Sequence, residues 1–151
     1  LTASEIIVVD RSPAALELAS ELGADHTVVA DGTQVERVLE LTGGSGAEAV
    51  IDFVGEGGST SHGVQLLRRA GAYYVVGSGE NIDVPTIDII SAEINFIGNL
   101  VGSYTDLTEL MVLAARGLVK LHTAKYDLND FQNALDDLSA GRVRGRAILI
   151  P

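Results

Sequence analysis

Residues 5–13 read Glu5-Ile6-Ile7-Val8-Val9-Asp10-Arg11-Ser12-Pro13. Four consecutive Ile and Val residues with no polar alternation predict a strand buried on both faces, as in a parallel sheet. The run stops at a carboxylate. Ser12 and Pro13 then form a helix start: Ser as N-cap, and Pro at the first helical position, where its missing N–H costs nothing. A buried strand passing so quickly into a helix is a strand–helix unit, and such units build parallel sheets.

Outward from that stretch the same grammar repeats. Leu16, Leu18, Ala19 and Leu22 supply an apolar helix face, and Gly23 ends the helix. Residues 24–29 predict a short strand. Thr33-x-x-Glu36 has the spacing of a capping box and opens a helix with Val35, Val38, Leu39 and Leu41 inward. Gly43-Gly44-Ser45-Gly46 closes it. Residues 47–54 are the next strand, followed by a helix through Val64, Leu66 and Leu67 to Ala70, with Gly71 as its stop. Tyr73-Tyr74-Val75-Val76 is a strand ending at Gly77-Ser78-Gly79, residues 80–92 are loop and short helix, and residues 94–98 are a further strand.

From Tyr104 the character changes. Leu107, Leu110, Met111 and Ala114 repeat at helical spacing, Asn129-x-x-Gln132 resembles a second capping box, and Ala147-Ile148-Leu149-Ile150 is a closing strand. The reading is α/β: a doubly wound parallel sheet over residues 1–102, then a helical appendage with a terminal strand over residues 103–151.

Composition removes several function classes. Lys plus Arg number 10 against 21 for Asp plus Glu, a formal net charge of −11 that phosphate backbones would repel. The absence of Cys excludes disulfides and thiolate chemistry within these 151 residues. No apolar run approaches the roughly 20 residues that cross a bilayer. With 46% hydrophobic residues and no basic leader before the first apolar segment, the expectation is a soluble, cytoplasmic protein.

Asp10 leads the candidates for chemistry. An acid at the carboxyl end of such a strand is where dinucleotide-binding folds hold a ribose, and a carboxylate there selects NAD by repelling the 2′-phosphate of NADP. The plainer reading is a surface Asp serving the N-terminus of the following helix. Arg11 lies against adenine, or is simply solvated, or pairs with a 2′-phosphate; the residues leave this open. In a dinucleotide fold the acid follows a strand, a Gly-rich loop and a helix. Here only Leu1-Thr2-Ala3-Ser4 precede the strand, so the expectation is a nicotinamide-dehydrogenase sequence entered part-way.

Gly55-Glu56-Gly57-Gly58-Ser59-Thr60 follows a strand and opens a helix, as a dinucleotide fingerprint must, with Glu80 beyond the next strand as its ribose acid. Thr60 stands where a third Gly or Ala belongs, and the alternative is that these glycines let the backbone pass beneath a nucleotide or merely turn the chain. His26, His62 and His122 share no metal-ligand spacing. Tyr73-Tyr74 reads as packing, and Tyr104 lacks a Lys four residues on. No residue stands out as catalytic.

Four blocks together resemble the medium-chain, zinc-dependent alcohol dehydrogenases: Gly23-Ala24-Asp25-His26, residues 46–55, residues 98–104, and Gly145-Arg146-Ala147-Ile148-Leu149-Ile150-Pro151. The nearest likeness is to bacterial NAD-dependent members acting on secondary alcohols. The resemblance implies a Rossmann-like cofactor domain over residues 1–102, truncated at its amino side, and a return into the catalytic domain over residues 103–151. It puts Asp10 in place of the ribose-binding acid and Phe53, Val54 and Gly55 beside the adenosine ribose. Val76 (with Gly77 next to it), Asn99 and Val101 match positions whose backbone binds the nicotinamide carboxamide, and Arg146 matches a residue reaching the pyrophosphate. Ala15 stands where many relatives carry a Lys, so that ribose contact is missing.

The family's zinc ligands and its Gly-rich loop have no counterpart in these residues, so the resemblance implies NAD as cofactor, zinc only in the parent enzyme, and no turnover by this stretch alone. It also implies a dimer through the strand at 94–98. The family's first strand is central, so its lack predicts a closed-up sheet, a swapped assembly or pairing with an amino-terminal polypeptide. A zinc-free quinone reductase of the same superfamily, or a cofactor-less interaction module, are the alternatives.

Overall fold

A computed structural model describes residues 4–151, which fall into two compact units divided between Gly102 and Ser103. In the first unit, β1 (Ile7–Asp10), α1 (Pro13–Glu21), β2 (His26–Val29), α2 (Gln34–Leu41), β3 (Ala47–Asp52), α3 (Ser59–Gln65), β4 (Leu67–Val75), α4 (Thr86–Ala92) and β5 (Asn95–Gly98) alternate without exception. Every strand pairing is parallel, because each connection returns through a helix.

The opening stretch folds as its residues require. Ser12 adopts an extended N-cap conformation, its hydroxyl accepts from the Ala15 amide at 3.4 Å, and Pro13 begins α1. Gly23 follows the helix at φ +102°, a conformation glycine adopts without strain.

The sheet is not closed up. β1 pairs with β2, and β3–β4–β5 form a separate three-stranded sheet, so β1 and β3 each keep one edge without a strand partner among the described residues. Side chains join what the backbone leaves apart. Val28 of β2, Val38 of α2 and Leu66 after α3 are buried together, with Ile7 and Val9 of β1, Val35 of α2 and Val50 of β3 packed against them. Burying one such side chain contributes about 1.5–3 kcal/mol, so this cluster holds the two sheets in one unit.

Three local expectations are corrected. The helix expected to reach Ala70 ends at Gln65, and β4 already begins at Leu67; Ala70 sits at φ +56° beside a register shift in the β3–β4 ladder. The Thr33/Glu36 capping box does not form: Asp31 accepts from the Thr33 amide at 3.0 Å and its hydroxyl at 2.7 Å instead. Asn129 likewise turns to Asp127 in a short 3₁₀ turn, Leu128–Asp130, leaving no box with Gln132.

The second unit holds α5 (Tyr104–Ala115), β6 (Thr123–Asp127), α6 (Phe131–Ser139) and β7 (Arg146–Ile150). Besides the expected terminal strand it contains β6, which pairs parallel with β7 while α6 packs on both. Tyr126 donates to Asp137 at 2.9 Å, and Arg142 donates to the same carboxylate at 2.8 Å, tying α6 to the turn before β7. α5 opens with a complete capping box between Ser103 and Asp106. Among the described residues no helix is long and apolar enough to cross a membrane.

Candidate functional site

Asp10 is the last residue of β1. Its carbonyl accepts from the Ala30 amide at 2.9 Å, so the strand pairing fixes its backbone. One carboxylate oxygen, Oδ1, accepts from the Ser12 amide at 2.7 Å. Such an Asx turn orients the carboxylate. Its other oxygen, Oδ2, has no hydrogen-bond partner among the described residues, and the side chain is half-buried. Arg11 beside it is exposed.

The ends of β3, β4 and β5 form the second part. Phe53 and Val54 stand outward, 73% and 48% exposed. Gly55 turns the chain at φ +65°, and a Cβ there would lie 2.5 Å from the Gly77 carbonyl carbon. A Cβ on Gly77 would press equally into the backbone of Val54, so neither position has room for a side chain. The amides of Val76 and Gly77 both donate to the Asp52 carbonyl, at 2.9 and 2.8 Å. Asn99 comes directly after β5, its amide donating to Val75 at 2.9 Å and its side chain to the Ile97 carbonyl at 3.0 Å. Val101 lies beyond it at φ +44°, 94% exposed. Phe53, Val54, Gly55, Val76, Gly77 and Asn99 are thus neighbours at three adjacent strand ends. Arg146 belongs to the other unit, where it opens β7 with its amide donating to His122 at 2.9 Å.

Beneath Phe53 lies a group that no sequence motif singles out. Asp52 is buried, and its Oδ1 accepts from the amides of Val54 (2.8 Å) and Gly55 (3.0 Å). Its Oδ2 accepts from the Tyr73 hydroxyl at 2.7 Å and the Ser59 hydroxyl at 3.0 Å. Burial disfavours the charge, but these donors outweigh it and hold the Asp52 pKa below its ordinary value. Burial first, and then the bond to Asp52, pushes the Tyr73 hydroxyl up. Tyr73 is therefore more than packing, although its ring also meets Phe96 with centroids 5.8 Å apart. An acid at a strand end three residues before a glycine was the only available signal.

The Gly-rich loop is not a phosphate cradle. Glu80 accepts from the amides of Gly58 (3.1 Å) and Thr60 (3.2 Å) and from the Thr60 hydroxyl. Those bonds, the Thr60 hydroxyl foremost, hold its pKa below the ordinary value. A carboxylate already fills the place an anion would take, and Glu80 is itself engaged rather than turned to a ribose. Of the histidines, His26 lies 2.7 Å from Glu5. Among the described residues no group of three or more His, Asp or Glu is placed to hold a metal ion, so they do not fit a zinc site.

The family model described as zinc-binding dehydrogenase matches residues 1–116. The chain belongs to that family. It is 38% identical over 149 residues to an NAD-dependent alcohol dehydrogenase of Sulfolobus acidocaldarius, covering 97% of this chain and 43% of the relative. It is 32% identical over 148 residues to a D-arabinose 1-dehydrogenase (NADP(+)) of Saccharolobus solfataricus, covering 97% and 42%. The crystal structure of an alcohol dehydrogenase from Aeropyrum pernix superposes with a TM-score of 0.94 at 41% identity, over 99% of this chain and 44% of that one. The chain thus spans less than half the length of the relatives it matches. The likeness fixes the fold as the parallel α/β, Rossmann-like arrangement of an alcohol dehydrogenase.

Proposed function

We propose that this stretch is the NAD-binding part of an alcohol dehydrogenase that transfers hydride between an alcohol, a secondary one in our reading, and NAD. The observation that carries the proposal is Asp10: a strand-end carboxylate oriented by the Ser12 amide, with Oδ2 open among the described residues. Such a group accepts ribose hydroxyls and repels a 2′-phosphate. The name of the Sulfolobus acidocaldarius relative agrees with NAD.

In this reading Phe53, Val54 and Gly55 pass the adenosine ribose, with Arg11 at the adenine. The amides of Val76 and Asn99 are engaged within the protein, so these residues offer carbonyl oxygens, acceptors suited to the carboxamide NH₂. Gly77 keeps the two loops in contact, and Val101 completes the carboxamide edge. Arg146 supplies a planar fork for pyrophosphate oxygens. Bound NAD would supply the hydride acceptor. Residues 1–102 then form the cofactor domain and residues 103–151 lead back to the catalytic domain. Because the described residues do not fit a zinc site, we assign the catalytic zinc to the part of the relatives' length that this stretch does not match, and expect no alcohol-dependent NADH production from the 151 residues alone. A dimer through the free edge of β5, in the cytoplasm, completes the proposal.

Calorimetry with NAD and NADP on the chain and on Asp10→Ala tests it. NAD should bind in preference to NADP, and Asp10→Ala should weaken NAD by about tenfold, the loss of one charged hydrogen-bonding group. Absence of NAD binding, or a preference for NADP, would overturn it.

A further inference from the structure

Asp52 holds two loops at once. Its carboxylate fixes the amides of Val54 and Gly55 after β3, while its carbonyl fixes those of Val76 and Gly77 after β4. Four of the proposed cofactor residues therefore bond to residue 52, two through its carboxylate and two through its main-chain carbonyl. The residue is 7% exposed and each carboxylate oxygen accepts two hydrogen bonds, so it has no capacity left for a ligand. Tyr73, fully buried, braces the far oxygen.

This arrangement runs against the simplest packing. An apolar pair at these positions would fill the space without burying a charge. The polar pair instead draws the Val54 and Gly55 amides inward, and Phe53 and Val54 stand exposed beside them. The Ser59 hydroxyl, which also accepts from the Glu56 amide at 3.2 Å, extends the brace to the start of α3.

We infer that Asp52 and Tyr73 are positioning residues of the NAD site: the Asp52 carboxylate, braced by Tyr73, holds residues 53–55 in the arrangement that meets the cofactor. The inference rests on the NAD reading proposed for this chain. Asp52 touches no cofactor atom and acts through the backbone it fixes. Freeing that backbone divides the chain among several loop forms, and affinity falls by the fraction that remains competent.

Tyr73→Phe keeps the ring and removes the brace; Ser59→Ala removes the second donor and, being outside the core packing, carries the test should Tyr73→Phe fail to fold. Hydrogen exchange should quicken at the amides of Val54 and Gly55 in both variants, and the NAD Kd should rise about tenfold in Tyr73→Phe and less in Ser59→Ala. Asp52→Asn, which retains an acceptor for the two amides, should keep more NAD affinity than Asp52→Ala. A purely structural role predicts quicker exchange with unchanged NAD affinity in every folded variant, and that result would overturn the inference while leaving the NAD reading intact. Unchanged exchange would overturn it as well. Failure of the unaltered chain to bind NAD would instead sink the NAD reading, and the inference with it.

Discussion

Asp10 and Asp52 occupy the same place in the pattern, each the last residue of an apolar parallel strand, yet the structure treats them oppositely. Asp10 is half-buried, and its carboxylate receives one hydrogen bond among the described residues, from the Ser12 amide. Asp52 is 7% exposed, and its carboxylate receives four, two from backbone amides and two from hydroxyls. The residues immediately after each acid account for the difference. Ser12-Pro13 starts a helix at once, so the turn after Asp10 has few amides to satisfy. The glycine loop after Asp52 leaves several N–H groups that a buried carboxylate can collect. A strand-end acid is thus open to a ligand when its own loop does not need it, and becomes scaffold when it does.

Substitution sharpens that contrast most strongly at Asp52. Asp52→Ala leaves the fully buried Tyr73 hydroxyl without its acceptor and frees two amides, and should cost about 3 kcal/mol in urea unfolding, the upper range for removing a charged partner from buried donors. A cost below roughly 0.5 kcal/mol, the size of an ordinary surface change, would erase the distinction. Gly77→Ala comes next, at about 2 kcal/mol, because its Cβ would press into the Val54 backbone rather than a flexible side chain.

Acid titration gives a smaller effect. The Asp52 pKa is held below 3.8, so the unfolded chain takes up that proton first as pH falls. Its contribution is complete above the unfolded value and is lost as pH drops through the folded one. Asp52→Asn should therefore flatten the acid limb of stability against pH relative to the unaltered chain, and an identical limb would break the argument. Smallest of all is the stability effect of Asp10→Ala, within about 0.5 kcal/mol, even where NAD affinity falls. A large loss of stability there would make Asp10 scaffold like Asp52.

The strands around Val8, Val50, Tyr74 and Phe96 were legible because each is a short apolar run bounded by turn residues. α1 was legible to its caps. β6 was missed although Thr-Ala-Lys-Tyr-Asp alternates polar and apolar as a half-buried strand does, because Ala124 and Tyr126 give it little apolar content to announce it. The end of α3 was misread because Leu66 and Leu67 continue an apolar run across the boundary, with no local signal for the change from helix to strand. The two expected capping boxes lost to nearby acids, Asp31 and Asp127, which compete for the same amides. The box that does form uses Asp106, one carbon shorter than the Glu or Gln the pattern names.

For the candidate site, Asp10 could be named from its place at a strand end, whereas the loops at the ends of β3, β4 and β5 were named through the resemblance to medium-chain alcohol dehydrogenases. The sequence by itself determined that Glu5–Pro13 is strand and then helix, since β-branched residues, an N-cap and a proline act locally. Only the tertiary structure decided that Asp10 keeps an open oxygen while Asp52 is closed and Glu80 fills its own glycine loop. Those outcomes depend on donors 20 or so residues away in the chain, Tyr73 for Asp52 and Gly58 and Thr60 for Glu80, and the parallel pairing of β3 with β4 brings them within reach.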